Sequence, residues 1–312
     1  MLTAPSDARR AWGIALCLVS ACGFGLMAIF AKQAYAAGLG VTALLAARFV
    51  LAAAVFWALV AVRRHGRQRV RPPRRAVLAC LGLGAIGYAA QAGLFFSALE
   101  HIDASLTSLL LYTYPALVFC GAAALGRERI TPWKALSLAL ASAGAALVLL
   151  GGGTGGLQST GVALALGAGA TYAVYILVAE GVVRRIDALL LGALVATGAA
   201  ATFVLAGAVG GGLEFTGGGW IWIAAIALVS TVLPIVTFMV GIERVGAATA
   251  SIVSTFEPVV TVALAVALYG EALGPLQALG GVLVLAAVIA LQLRGARALA
   301  SAAGTQLAHE PA

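Results

Sequence analysis

The stretch Ser108-Leu109-Leu110-Leu111-Tyr112-Thr113-Tyr114-Pro115 returns 143 positions later as Ser251-Ile252-Val253-Ser254-Thr255-Phe256-Glu257-Pro258. Each copy sits inside a long apolar segment, and each is broken by a proline mid-way. The same shift pairs Phe95 with Phe238, Glu100 with Glu243, Ala104 with Ala247, Ser108 with Ser251, Glu128 with Glu271 and Pro132 with Pro275, with no gap. This is an internal duplication. Each copy holds five hydrophobic spans, and an odd number sends the second copy through the membrane upside down relative to the first. Inverted repeats of this kind mark transporters, because two similar halves can close around a shared site from either side in turn.

Composition requires the membrane. Of 312 residues, 62% are hydrophobic and 10% charged, with mean hydropathy +1.06, where soluble domains carry about 25% charged residues. Ten segments can span: 12–31, 41–62, 76–98, 104–123, 132–150, 158–180, 187–209, 219–241, 247–268 and 275–294. About 20 residues at about 1.5 Å each cross a hydrocarbon core of roughly 30 Å. The runs are continuously apolar rather than alternating, which favours helices over barrel strands. The expected fold class is therefore an all-α integral membrane protein: ten transmembrane helices arranged as two inverted five-helix repeats around a central cavity. Residues 1–150 form the first repeat, 151–297 the second, and 298–312 a short tail.

The net charge of +8 is an orientation signal, not a nucleic-acid footprint. Arg63, Arg64, Arg67, Arg69, Arg71, Arg74 and Arg75 crowd one connection, and 17 of the 19 basic residues fall on that side of the expected topology. The positive-inside rule then puts both termini in the cytoplasm. Trp12, Trp57, Trp133, Trp220 and Trp222 fall near span ends, where indole rings settle at the headgroup level.

Three motif-like features carry no chemistry. Arg9-Arg10 ahead of an apolar run, with Ala34-Tyr35-Ala36 behind it, imitates a secretory signal, but the run is too long for one. Its Phe24 and Met27 stand 148 positions before Tyr172 and Tyr175, so the span belongs to the repeat. Gly82-Leu83-Gly84-Ala85-Ile86-Gly87 fits G-x-G-x-x-G, yet lies inside a membrane helix, where small residues serve close packing. Cys17, Cys22, Cys80 and Cys120 are scattered without metal-ligand spacing, and His65, His101 and His309 form no cluster. No hydrolase, zinc-protease or nucleotide-binding signature occurs, so neither enzyme chemistry, a cofactor nor a metal is expected.

Two ionisable residues inside spans demand a reason. Glu257 lies about 15 Å deep, near the midplane, and Arg48 about 10 Å below the surface opposite the arginines. Glu257 fits a substrate or proton site and a buried ion pair equally well. Arg48 is shallow enough to snorkel outward. Pro258 frees the carbonyl of Ser254, and Pro115 that of Leu111; Pro234, whose partner is Gln91, breaks span eight. Such breaks are tolerated only where protein or a cavity satisfies the loose groups. Spans three, four, eight and nine are therefore expected to line the cavity. The candidate wall comprises Tyr88, Gln91, Phe95, Tyr112, Thr113 and Tyr114, then Phe238, Ser251, Thr255, Phe256 and Glu257, with Phe24, Met27, Tyr172 and Tyr175 from spans one and six. A mostly apolar wall with a few polar groups suits an amphipathic small molecule. A sugar phosphate would want several buried Arg or Lys.

The duplicated block, followed by Gly126-Arg127-Glu128 in one copy and Gly270-Glu271 in the other, resembles the end of an EamA domain, and Arg48-Phe49 fits the same pattern. Over about residues 12–294 the chain resembles the EamA branch of the drug/metabolite transporter superfamily. The resemblance implies a ten-helix basket with peripheral fifth and tenth helices. It also implies export of small metabolites, amino acids foremost and aromatic ones among them, across a bacterial inner membrane. One departure stands out: Ala196 occupies the place where the shift of 148 would put a partner for Arg48. The expected partners are a small-molecule substrate and the lipid bilayer, with no nucleic acid; one chain suffices for the two-half design. Efflux of cationic drugs, with Glu257 pairing the cation, and a lipid-head flippase or scaffold stay open beside amino-acid export. Proton coupling through Glu257 and uncoupled facilitation are equally compatible with the sequence.

Overall fold

An apolar run in hydrocarbon can satisfy its backbone internally only as a helix or a closed barrel, and every regular element among the described residues is helical. The computed structural model describes residues 7–64, 72–127, 131–151, 158–183, 186–215 and 218–290. Most of the basic connection, Glu128, the glycine-rich 152–156, Arg184, Arg185 and the tail lie outside them. Within the described residues the spans are Arg9–Ala36, Val41–Arg63, Arg74–Ala98, Ala104–Ala124, Pro132–Gly151, Ser159–Glu180, Ala188–Gly210, Trp220–Gly246 and Thr249–Tyr269, followed by the shorter Pro275–Ala290. They are numbered one to ten here. Spans four and nine end at Gly126 and Gly270, whose φ of 68° and 65° suit the left-handed cap that glycine takes without strain.

The packing carries the inversion. Span one packs on spans eight and nine, and span six packs on their counterparts, three and four. Span two lies against span seven, its own repeat partner. At one end, Arg63 pairs with Asp187 at 3.3 Å and Arg127 with Glu180 at 3.5 Å. At the other end gather Lys32, Asp103, Gly151 and Glu271. Span four starts at the end where its repeat partner, span nine, finishes: Glu271 accepts hydrogen bonds from the amides of Ala104 and Ser105 at 3.0 Å each. The two halves therefore run in opposite directions, and Gly151 lies at the end opposite Arg63.

Two local distortions obey the same repeat. Span three turns into a π-helix over Leu83–Tyr88, and span eight does so over Ala225–Val232. Moved by 143 positions, the first falls inside the second. A π turn leaves a backbone carbonyl without its normal donor, and π turns gather at functional sites. Here threonines supply hydrogen bonds. Thr202 Oγ1 of span seven donates to Ala85 O at 2.7 Å, and Thr231 Oγ1 donates to Ile226 O at 2.8 Å.

The glycine motif of span three falls on this π segment and works by contact. A Cβ on Gly84 would strike the Val195 carbonyl, and a Cβ on Gly198 would strike that of Leu81. A Cβ on Gly82 would meet nothing within 4 Å. Gly84→Ala and Gly198→Ala should each cost about 1–3 kcal/mol as overpacked variants, seen as a lower Tm in detergent. Gly82→Ala should stay within about 0.5 kcal/mol of the native protein.

Candidate functional site

A cavity of about 90 Å³ lies among spans one, two, three, four, six and nine. Span one gives Phe24, Met27 and Ala28. Span two gives Arg48. Span three gives Tyr88, Gln91, Ala92, Phe95 and Phe96, and span four Ser108, Leu111, Tyr112 and Tyr114. Span six adds Tyr172, and span nine adds Glu257 and Thr261. Tyr175 stands behind the wall, stacked on Tyr172 with ring centroids 6.0 Å apart and tilted to Tyr88 at 5.7 Å.

Phe238, Ser251, Thr255, Thr113 and Phe256 are not on this wall, and neither is any other residue of span eight. The expectation that span eight lines the cavity differs from the arrangement found, for a local reason. Its proline packs on span one instead: Ser20 Oγ donates to Pro234 O at 2.8 Å, and Gly23 lies so close that a Cβ there would sit 2.6 Å from the Pro234 ring. Thr255 and Thr113 turn back on their own helices, donating to Ile252 O at 2.6 Å and Leu110 O at 2.8 Å. Phe256 faces outward, 45% exposed.

The breaks at Pro115 and Pro258 meet at one point. Helix stops at Leu111 and resumes at Tyr114; it stops at Ser254 and resumes at Phe256. The Tyr112 hydroxyl, from the first break, lies 3.0 Å from Ser254 O and 3.1 Å from Glu257 Oε2, both at the second. Ser254 O is the carbonyl that Pro258 strips of its donor. A phenol has one proton for two acceptors. When Glu257 is ionised, the hydroxyl can serve the carboxylate or the carbonyl, not both. When Glu257 carries a proton, it can donate to Tyr112 Oη while Tyr112 donates to Ser254 O, and every group is paired. Protonation of Glu257 is thereby tied to how the broken helix of span nine is capped. Thr261, one turn on, holds span nine to span one by donating to Gly25 O at 3.0 Å.

Arg48 does not snorkel. It is 1% exposed, with its Cζ 4.7 Å from the Phe49 ring centroid and 5.1 Å from that of Phe96. Nε donates to Thr231 Oγ1 at 3.0 Å, while Nη1 is buried without a hydrogen-bond partner. Depth along a span fixes distance from the surface but not which way the side chain faces. The neighbours Leu44, Leu45, Phe49 and Ala52, all 0% exposed, show that this face of span two turns inward. Phe96, Ser108 and Thr261 are further wall residues absent from the candidate wall. Ser108 carried a signal, its match to Ser251; Thr261 carried a weaker one, one helical turn from Glu257. Among the described residues no group of three or more His, Cys, Asp or Glu could hold a metal.

The sequence pattern of the EamA-like transporter family matches residues 11–150 and 159–292, one match per half. The chain belongs to the EamA-like transporter family. That family lies within the drug/metabolite transporter superfamily. The chain is 28% identical over 282 residues to the uncharacterized transporter YcbK of Bacillus subtilis (strain 168), covering 87% of this chain and 90% of that one. It also shares its fold with a crystal structure described only as that of a protein, at TM-score 0.64 and 21% identity, over 92% of this chain and 98% of the other.

This EamA-like transporter carries a second polar cluster at the end away from the arginines. A depression of about 490 Å³ there is bordered by Lys32, Glu100, His101, Asp103, Glu271 and Gln277, among others. Glu271 ties the close of span nine to the start of span four through the Ala104 and Ser105 amides, and Lys32 of span one lies 3.8 Å from it and 3.9 Å from Asp103. A carboxylate at a helix N-terminus satisfies orphan amides and the helix dipole together. Glu271→Ala should release this end of span four by about 1–2 kcal/mol. That predicts about 5–30-fold faster hydrogen exchange at Ala104 and Ser105, with the exchange of span two unchanged.

Proposed function

We propose that this protein is a secondary transporter exporting small amphipathic metabolites, amino acids foremost, by alternating access. The observation that carries the reading is a cavity between the inverted halves, whose wall combines aromatic rings with two ionisable residues of opposite sign, Arg48 and Glu257. Those two residues form no salt bridge with each other, so each is available to a solute. Packing pairs that repeat across the halves, one with eight and nine, six with three and four, supply two equivalent sets of surfaces that can open in turn. The arginine-rich end faces the cytoplasm on the positive-inside argument, which puts both termini there; the family and the Bacillus subtilis relative support a bacterial membrane as its location.

In this reading Glu257 is the group through which a proton gradient acts. Its protonation completes the Tyr112–Ser254 hydrogen-bond chain, and its ionisation breaks it, so charge on the carboxylate biases the break in span nine. Efflux of lipophilic cations has Glu257 in its favour but leaves Arg48 in the same wall as a like charge facing the cargo. A scaffold calls for a filled apolar centre, against which the charged cavity weighs.

The test is flux in proteoliposomes with labelled amino acids, with and without a pH gradient. Glu257→Gln should reduce flux at least about tenfold at equal insertion and equal Tm, and should remove any response to the gradient. Tyr112→Phe should keep part of the flux while flattening that response. Wild-type flux from Glu257→Gln would take the residue out of the site.

A further inference from the structure

We infer that Arg48 is an anion anchor: its free guanidinium edge holds the carboxylate of the transported solute, which makes the cavity a monocarboxylate site. The inference rests on the transport reading for its ligand, but not for its geometry. The side chain is 1% exposed, and no carboxylate lies within ion-pair distance of it among the described residues. A buried charge without a counter-charge is costly, and an incoming anion relieves that cost.

The guanidinium is fixed for the task. Phe49 and Phe96 hold it at 4.7 and 5.1 Å from their ring centroids, and Thr231 takes the Nε hydrogen bond at 3.0 Å. Tyr88 adjoins it from span three. Tyr88 and Thr231 are themselves repeat partners, 143 positions apart, each on the π segment of its half. The arginine is thus clasped by equivalent positions of both halves. With Nε committed, Nη1 is a buried donor in a residue that lines the cavity, and no protein group takes it up.

The chemistry of the anchor narrows the ligand. A guanidinium fork fits the two oxygens of a carboxylate. A phosphate monoester carries up to two charges, and the wall holds no Lys and no second Arg to meet them. The second half has Ala196 at the corresponding place, so a single anion is bound, and always from span two.

Binding and flux are read on the full-length protein in nanodiscs and liposomes, using the amino acids and, for each, its amide. The amide keeps the side chain and the ammonium and loses only the anion. Wild type should prefer acid to amide by about tenfold or more. Arg48→Gln should bring the two within about twofold, and Arg48→Lys should keep a reduced preference, since a point charge replaces the fork. Thr231→Val, which leaves the charge but frees its orientation, should also weaken the preference and decides the matter should Arg48→Gln not fold. A merely structural arginine would lower Tm and leave the acid-to-amide ratio unchanged in these variants; that result overturns the anchor, as does a wild type that binds no acid of the panel or binds amides equally. Flux of acids and amides alike would leave transport standing and remove the anchor. Carboxylate binding lost in Arg48→Gln without any flux would do the reverse.

Discussion

A carbonyl that loses its helical donor inside hydrocarbon must find another, because water is not there to supply one. This protein breaks its helices at repeated positions and repairs them with side chains. The Tyr112 hydroxyl reaches across from the first half to the Ser254 carbonyl that Pro258 exposes, and the same hydroxyl touches Glu257. Thr202 serves Ala85 in one π segment, and Thr231 serves Ile226 in the other. Thr231 in turn orients Arg48. Both charged residues of the cavity are therefore attached to backbone repairs. A straight ten-helix bundle would have no need of these hydroxyls and no reason to place ionisable groups beside them.

Much of this arrangement was legible in the sequence, and the reason is that its signals are one-dimensional. Hydropathy over 20 residues finds spans, and all ten expected segments coincide with described helices to within about five residues, the tenth as far as residue 290. A gapless shift of 143 exposes the duplication, and an odd span count makes it inverted. Proline marks the breaks at Pro115 and Pro258, down to the Ser254 carbonyl that needs a partner. The π segments were not legible, since neither holds a proline and their repair comes from a different helix in one case. Azimuth was not legible either. On a span where nearly every residue is apolar, no face of the pattern points to the core. That is why Arg48, read by depth alone, is expected at the surface and lies at the centre. For the same reason Pro234 announced a break without revealing that the proline packs on span one and not on the cavity.

The repeat explains the frame better than it explains the wall. Phe95 and Phe238 are partners, as are Ser108 and Ser251, yet only the first of each pair reaches the cavity. Most of the wall belongs to the first half, with Tyr172, Glu257 and Thr261 from the second. Glu257 takes the position of Tyr114, and Ala196 that of Arg48. On the alternating-access reading, matching surfaces are needed only where the halves would move against one another, and such features recur in both copies: one with eight and nine, six with three and four, the paired π turns, the glycine caps at 126 and 270.

Recognition places the opposite demand on the same frame. A dipolar solute has one positive and one negative end, and a wall with exact two-fold symmetry would offer each end two identical partners. Such a site would bind the solute in two orientations and discriminate poorly between charged and neutral relatives. Breaking the symmetry at a few positions removes that degeneracy without disturbing the helix contacts that repeat across the halves. Arg48 against Ala196 and Glu257 against Tyr114 are substitutions of that kind: each puts a charge in one copy and a neutral residue in the other. The rings of Tyr88, Tyr114 and Tyr172 between them are uncharged, so on the proposed reading the selectivity of the cavity is concentrated in two side chains that the duplication did not copy.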